Sequence, residues 1–135
     1  IHILIMMTSA PKRWQAEAPT REAAETFLAE RVKRYAASLD ANDMIYAFDA
    51  SRDYNPSPHL TAIKAPLLAI NSADDQVNPP ELGLLEQEIA KVSSGRAVVL
   101  PITDQTRGHG THSLPAIWGR HLEALLKQSG QEAHQ

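Results

Sequence analysis

Two short, continuously apolar runs in the second half of the chain constrain the fold most strongly. They span Pro66–Ile70 and Ala97–Leu100, and neither contains a polar residue. Uninterrupted apolar runs of this length are typical of strands that are buried on both faces, as in parallel sheets covered by helices. Helical patterns follow each run, over about 80–92 and from about Leu114 to Gln128. This alternation with short links predicts a right-handed, parallel β-α-β-α unit and hence an α/β fold.

Proline and glycine indicate where these two helices begin and end. Pro80 is tolerated in a first helical turn, so the first helix is predicted to begin there. Its apolar stripe consists of Leu82, Leu85, Ile89 and Val92. Gly130 lies beyond the predicted end of the second helix, where glycine commonly follows.

The first half of the chain is polar and is predicted to be helical, with a loop at its end. Thr20 is a suitable N-cap, and apolar residues recur after it at helical spacing: Ala24, Leu28, Val32, Tyr35 and Leu39. A second short helix is predicted over Asn42–Ala50, with three apolar side chains facing inward: Met44, Ile45 and Phe48. The stretch Ser51–Pro58 interrupts this pattern and indicates a loop.

The chain opens with a dense apolar run, Ile1–Met7, that has no basic region ahead of it. A secretory signal needs such a region, and a bilayer span needs about 20 apolar residues, so neither is predicted. We expect instead that the run belongs to a buried element. A pair of parallel strands also needs further strands to make a stable sheet. Both features predict that the sequence is a fragment of a longer protein.

Composition and charge exclude several classes of partner. The 135 residues carry a net charge of −3 and no Lys/Arg cluster, which argues against nucleic acid or an anionic membrane surface. Cysteine is absent, so disulfides, thiolate nucleophiles and cysteine metal sites are excluded. The lack of cysteine fits a reducing compartment, and we expect a cytoplasmic protein.

Acids and a histidine follow the two predicted strands at the same edge of the sheet. The loop Asn71–Pro79 contains Asp74 and Asp75, and the loop Asp104–His112 contains His109. Catalytic groups in open parallel sheets gather beyond the carboxyl ends of the strands. A histidine there can serve as general base and then as acid, while a carboxylate on its other nitrogen orients the ring and stabilises the imidazolium. The two loops therefore predict an acid–histidine pair.

The sequence around these loops resembles one enzyme family over nearly the whole chain. After the first strand it runs Asn-Ser-Ala-Asp-Asp-Gln-Val-Asn-Pro-Pro (71–80), and after the second it contains Gly-His-Gly-Thr-His (108–112). Upstream, Leu39–Tyr46 and Ser51–Asp53 are similar to a helical lid. In this order the segments resemble the last third of an α/β-hydrolase, and most closely the homoserine O-acetyltransferase family. The resemblance implies a lid segment over 1–57 and the C-terminal β-α-β-α part of the hydrolase core over 58–135.

The resemblance also assigns two members of a catalytic triad. The acid corresponds to Asp75, four residues before the first proline of its loop, and Asp74 is the alternative. The histidine corresponds to His109, directly after a glycine, and His112 is the alternative. Triads in this fold run nucleophile, acid, histidine along the chain, so the resemblance puts the serine before Ile1. No Gly-x-Ser-x-Gly elbow occurs in the sequence itself.

Three further residues are candidates for substrate contact. Gly110 stands where the family has an acid that is associated with the amino group of the substrate. This departure predicts an acceptor alcohol other than homoserine, or water. Arg52 and Tyr54 lie in the link from lid to core. They form either a surface turn with a salt bridge or part of the substrate tunnel beneath the lid, and both interpretations stay open.

The resemblance implies an acyltransferase that works by ping-pong transfer through a Ser-Asp-His triad. Acyl-CoA is the expected donor, an alcohol is the acceptor, and no metal or redox cofactor is implied. One alternative is an ester hydrolase in which water is the acceptor. Another is a catalytically silent fragment that needs the N-terminal part of the same enzyme as its partner. A homodimer is left open.

Overall fold

The computed structural model describes residues 1–132, and the end of the predicted core segment, 133–135, lies outside the described part. Its helices are α1 (His2–Met7), α2 (Pro11–Glu17), α3 (Arg21–Ser38), α4 (Ala41–Asp49), α5 (Leu84–Ile89) and α6 (Pro115–Glu132). Its strands are β1 (Leu67–Ser72) and β2 (Gly95–Leu100). Short 3-10 helices cover Ser57–Ala62, Pro80–Leu82 and Gly110–Ser113. Helices thus precede the sheet along the chain, and the sheet unit alternates strand with helix.

The strands β1 and β2 pair in parallel as neighbours in a two-stranded sheet. The register joins Leu67 to Gly95 at one end and Ser72 to Leu100 at the other. Both strands are longer than the predicted apolar runs. Strand pairing uses backbone groups and needs no apolar side chain, so β1 continues to the polar Ser72 and β2 already begins at Gly95. The mixture of helices with a small parallel sheet is compatible with the α/β class.

Side-chain caps explain where α3 and α4 begin. The Oγ1 atom of Thr20 accepts a hydrogen bond from the N–H of Ala23 at 3.2 Å, which confirms the predicted cap. The carboxylate of Asp40 accepts from the N–H groups of Asn42 (2.8 Å) and Asp43 (3.2 Å). Such caps satisfy backbone donors that a first helical turn leaves free. The apolar stripe predicted on α3 is present but only half-buried.

Two residues that were predicted to face inward on α4 are exposed. Ile45 is 63% exposed and Phe48 is 64% exposed, whereas Met44 is half-buried. Helical periodicity identifies an apolar face, but it does not tell whether another element covers that face. Since none of the described elements covers Ile45 and Phe48, the prediction was wrong for both.

Glycine changes two of the predicted helices. Gly83 adopts a φ of +65°, which ends the 3-10 turn at Leu82 and lets α5 begin at Leu84. Leu82 therefore leaves the predicted stripe and is 63% exposed, whereas Val92 is buried. Gly130, which was predicted to follow the last helix, lies within α6. Glycine inside a helix costs only about 1 kcal/mol, so it does not by itself end one.

The apolar N-terminal run forms α1 and enters the core at one residue. Ile5 is 1% exposed, while Ile3 and Met6 are 74% and 61% exposed. The expectation that the run is a buried element is therefore wrong for most of its residues. Among the residues whose burial is described, the other buried apolar side chains are Ala10, Ala18, Val92 and Leu100. This core is small, and most side chains of the two strands are only half-buried.

Candidate functional site

The loop after β1 holds Asp75 in place through its own backbone. The Oδ1 atom of Asp75 accepts hydrogen bonds from the N–H groups of Val77 (2.8 Å) and Asn78 (3.1 Å). Aspartate favours this arrangement because its short side chain reaches backbone donors two and three residues ahead. Asp75 is only 6% exposed, and its second carboxylate oxygen faces the neighbouring loop.

The loop after β2 turns sharply at Gly108, the residue before the candidate histidine. Gly108 has a φ of +56°, a left-handed conformation that residues with a side chain rarely adopt. A Cβ atom there would lie 2.6 Å from the carbonyl oxygen of Ser9 and 3.1 Å from that of Asp74. Both the backbone conformation and the lack of space therefore require glycine at this turn.

The two loops meet at the carboxylate of Asp75 and the ring of His109. Oδ2 of Asp75 lies 3.1 Å from Nδ1 of His109, and the histidine side chain is 33% exposed. An ionised carboxylate only accepts hydrogen bonds, so Nδ1–H donates to it. In the neutral ring Nε2 then carries the free lone pair, and it makes no hydrogen bond within residues 1–132. The pair can therefore accept a proton from a hydroxyl group placed at Nε2.

Asp75 keeps its charge because hydrogen bonding outweighs burial. Burial alone would raise the pKa of this carboxyl group. The N–H of Asn78, the ring of His109 and the N–H of Val77 act in the opposite direction. Together they hold the pKa of Asp75 below its ordinary value of 3.8. A carboxylate that stays ionised at neutral pH can stabilise an imidazolium beside it.

The pair borders a largely apolar pocket of about 670 Å³. Side chains of β1, β2, α5 and α6 form its apolar walls: Leu68, Ile70, Leu85, Leu100, Trp118 and Leu125. Leu84 and Leu122 also line it and are 56% and 40% exposed, so part of this apolar surface is open to solvent. Pockets of this size and character hold small organic molecules, which a few polar groups orient.

The alternative acid and histidine lie beside the pair and have other partners. The carboxylate of Asp74 accepts hydrogen bonds from the hydroxyl groups of Ser72 and Thr106, and not from a histidine ring. The Nδ1–H of His112 donates to the backbone carbonyl of His109, and the two rings lie 5.0 Å apart. The geometry therefore favours the predicted acid and histidine over their alternatives.

The residues predicted for substrate contact lie apart from the pair or next to it. The guanidinium group of Arg52 forms an ion pair with Asp49, and Tyr54 is 76% exposed. Neither Arg52 nor Tyr54 lines the pocket beside the pair, and this placement matches a surface turn with a salt bridge. Gly110 begins the turn after the candidate histidine, where a Cβ atom would have room, 3.6 Å from the Cβ of Arg107.

No serine of the described part forms a hydrogen bond with the ring of His109. The Oγ atom of Ser9 accepts a hydrogen bond from an indole N–H, and the hydroxyl of Ser72 donates to Asp74. The hydroxyl of Ser113 donates to a backbone carbonyl at 2.8 Å. Within residues 1–132, the pair therefore has no serine hydroxyl hydrogen-bonded to the histidine ring.

Sequence reasoning missed a second side-chain connection between the two loops, beside the acid–histidine pair. Ser72, Asp74 and Thr106 are joined through their side chains at the edge of the sheet. The residue types are visible in the sequence, but a pairing between positions 32 apart has no periodic signal. The close approach of the Ser9 carbonyl to Gly108 was missed for the same reason.

Metal ligands and membrane-spanning helices are two further features that bear on function. Within the described residues, no group of three or more His, Asp or Glu side chains is arranged to hold a metal ion. His134 lies outside the described residues. Over residues 1–132, no helix combines the length and the apolar character that crossing a bilayer requires.

Comparison with known proteins gives no relative. No protein-family model, no curated protein and no solved structure matches the chain. The chemistry of the acid–histidine pair and the resemblance of its loops are therefore the indications of function that this chain offers.

Proposed function

We propose that the chain supplies the acid and the histidine of an acyl-transfer enzyme with an α/β-hydrolase fold. Asp75 is the acid, His109 is the general base, and a serine from a segment outside these 135 residues is the nucleophile. The observation that carries the proposal is the 3.1 Å contact between Oδ2 of Asp75 and Nδ1 of His109, beyond the carboxyl ends of adjacent parallel strands. The enzyme resembles homoserine O-acetyltransferase but takes a different acceptor.

Three further features support a catalytic role for this contact. The Nε2 atom of His109 makes no hydrogen bond within residues 1–132, and the ring lines an apolar pocket. Asp75 keeps a lowered pKa although it is buried, so it can stabilise a charged imidazolium. The acid also precedes the histidine along the chain, which is the order of triads in this fold.

The proposed reaction moves an acyl group in two steps through an acyl-serine. The serine hydroxyl gives its proton to Nε2 of His109 while its oxygen bonds to the acyl carbon of a thioester or ester. The imidazolium, stabilised by Asp75, returns this proton to the thiolate or alkoxide that leaves. In the second step the acceptor hydroxyl gives its proton to His109 and takes the acyl group, and the serine regains a proton. Acyl-CoA is the expected donor.

Ester hydrolysis is the second candidate, and Gly110 is the observation that favours it. An acid follows the histidine in the family that the loops resemble, whereas glycine follows it here. Position 110 therefore offers no carboxylate to an amino group on the acceptor, and water or a neutral alcohol fits equally well. For the isolated chain a third candidate is a catalytically silent fragment, because no serine hydroxyl within residues 1–132 forms a hydrogen bond with the ring of His109.

Assays with acyl-CoA and with p-nitrophenyl acetate separate these candidates. We expect the 135-residue chain alone to give no turnover above the solvent rate. The longer protein that includes the serine should turn over both donors. A rate that rises when an alcohol is added indicates a transferase, and a rate that does not change indicates a hydrolase. Ester turnover by the chain alone would show that the nucleophile lies within these 135 residues.

Substitution of the two neighbouring histidines tests the assignment of the general base. In the longer protein, His109→Ala should lower kcat by about 10⁴-fold, because the serine then has no base. His112→Ala is the matched control and should leave most of the activity, since its ring donates to a backbone carbonyl. The reverse ranking would show that the general base is His112.

A further inference from the structure

Ser72, Asp74 and Thr106 form a side-chain connection, here called the loop bridge, between the loops that carry the acid and the histidine. Oδ1 of Asp74 accepts from the hydroxyl of Ser72, and Oδ2 accepts from the hydroxyl of Thr106 at 3.0 Å. Ser72 and Thr106 are both 3% exposed. Hydroxyl groups that donate to a carboxylate form charge-assisted hydrogen bonds, which are stronger than neutral ones, especially away from water.

Thr106 also organises the backbone of the histidine loop. Its Oγ1 atom accepts from the N–H of Thr103 at 3.1 Å and lies 3.0 Å from the carbonyl oxygen of Thr103. The single hydroxyl proton has two acceptors within reach, the Thr103 carbonyl and the Asp74 carboxylate. The charged carboxylate is the stronger acceptor, so the position of the loop depends on Asp74.

The loop bridge lies directly beside the acid–histidine pair. Asp74 precedes Asp75 in sequence, and Thr106 lies three residues before His109. Within residues 1–132, two side-chain hydrogen bonds cross between these loops: the one from Thr106 to Asp74 and the one from His109 to Asp75. Without the first, the second is the one side-chain hydrogen bond that remains between the described parts of these loops.

We propose that Asp74 and Thr106 are positioning residues that hold His109 at hydrogen-bonding distance from Asp75. The catalytic meaning of that distance rests on the function proposed above, but the distance itself has a readout that needs no turnover. Asp74, the alternative acid of the sequence, thus uses its charge to join the loops rather than to contact the histidine ring.

The Nδ1 proton of His109 reports directly on the contact. In the 135-residue chain with ¹⁵N-labelled histidine, a proton held by a carboxylate resonates downfield of the amide protons and exchanges slowly with water. His109→Gln identifies the signal by removing it. Thr106→Val keeps the shape of the side chain but removes its hydroxyl. We expect loss of the signal or about tenfold faster exchange, the factor that one hydrogen bond to a charged group gives.

Two conservative variants and one control separate positioning from general stability. Thr106→Ser keeps the hydroxyl and should retain the slow exchange of the wild type. Asp74→Asn keeps the size of the side chain without its charge, should also accelerate exchange, and serves if Thr106→Val does not fold. Thr61→Val, at an exposed threonine of the Ser57–Ala62 turn, should leave the signal unchanged.

The outcomes for this proposal and for the proposed function are distinguishable. Unchanged exchange in a folded Thr106→Val or Asp74→Asn chain would overturn the positioning role, as would a wild-type chain without this signal. If the exchange results are as expected but the longer protein has no acyl-transfer activity, the loop bridge stands and only the proposed function fails.

Discussion

The charge of Asp75 contributes both to the local fold and to the candidate site. Oδ1 accepts from the N–H groups of Val77 and Asn78, while Oδ2 faces the ring of His109. Each of these hydrogen bonds is stronger to an ionised acceptor than to a neutral one. Because Asp75 is 6% exposed, water cannot readily replace the partners that it would lose on protonation.

Asp75→Asn should destabilise the chain near neutral pH but not in strong acid. Folding lowers the pKa of Asp75, so its contribution is fully present above the ordinary value of 3.8 and is lost as the pH falls through the lower folded value. We expect the free energy of unfolding to fall by about 1–3 kcal/mol near neutral pH. Urea unfolding of both proteins, near neutral pH and stepwise below pH 3.8, measures this. An equal difference at every pH would contradict it.

Gly108→Ala should lower the free energy of unfolding more than Gly83→Ala, although both glycines have the positive φ of the left-handed conformation. A Cβ atom at Gly83 meets nothing within 4 Å, whereas one at Gly108 lies 2.6 Å from the carbonyl oxygen of Ser9. Gly83→Ala should therefore cost only the backbone preference, about 1 kcal/mol. We expect about 2–4 kcal/mol for Gly108→Ala by urea unfolding. Equal costs would mean that the segment around Ser9 moves away freely.

At the scale of elements, α1 and the turn after it support the histidine loop. Ile5 fixes α1 to the core, and the chain then brings the carbonyl of Ser9 against Gly108. The carbonyl oxygen of Thr8 lies 3.7 Å from the Cβ position of Gly110. A displacement of α1 would therefore be felt in the loop that carries His109.

Ile5→Ala should destabilise the chain and loosen the candidate site, whereas Ile3→Ala should do neither. Ile5 is 1% exposed and Ile3 is 74% exposed, so the two substitutions remove the same atoms from opposite sides of one helix. We expect a loss of about 2–5 kcal/mol for Ile5→Ala and less than about 0.5 kcal/mol for Ile3→Ala. Urea unfolding gives these values, and exchange of the His109 Nδ1 proton shows whether the site follows. Unchanged exchange in Ile5→Ala would show that α1 does not support the loop that carries His109.

Local signals in the sequence predicted most elements, and burial was the property that they predicted least well. The cap at Thr20 and the apolar runs of the strands depend on neighbouring residues, so periodicity and residue type were sufficient. The exposure of Ile45 and Phe48 depends on what covers α4, which no local pattern contains. Gly83 interrupts a predicted helix because its φ is positive, and the spacing of apolar residues does not reveal a backbone conformation.

The candidate site shows the same division. The contact between Asp75 and His109 could be predicted because parallel strands bring the loops that follow them to one edge. The bond between Asp74 and Thr106 could not, because several loop hydroxyls were available and the sequence does not rank them. The catalytic role of Asp75 and His109 stays a prediction.

At the scale of the whole molecule, the two-stranded sheet and the helices beside it leave many apolar side chains partly exposed to solvent. Most residues of β1 and β2 are half-buried, and the pocket beside them has open apolar walls. Leu82, which is 63% exposed, extends this apolar surface onto the 3-10 helix Pro80–Leu82. The net charge of −3 provides little repulsion between copies.

The chain should therefore self-associate as its concentration rises, and Leu84→Ser should weaken this association. Exposed apolar surface drives association, and Leu84 is 56% exposed at the wall of the pocket. Leu126→Ser is the matched control, because Leu126 is similarly exposed, at 60%, but does not line the pocket. Sedimentation velocity over a range of concentrations measures the effect. Equal effects of both substitutions, or a monomer throughout, would show that the pocket wall does not dominate.

The two oxygens of Asp75 have different partners, and an asparagine at that position could satisfy both sides only if His109 changed its tautomer. Its one amide oxygen would keep the N–H groups of Val77 and Asn78, which turns the NH₂ group towards His109. Two donors repel each other, so the ring would give up hydrogen at Nδ1 and carry it at Nε2. Exchanging one oxygen for nitrogen would thus reverse the polarity of the histidine at the pocket, from proton acceptor to proton donor, with the chain otherwise in place.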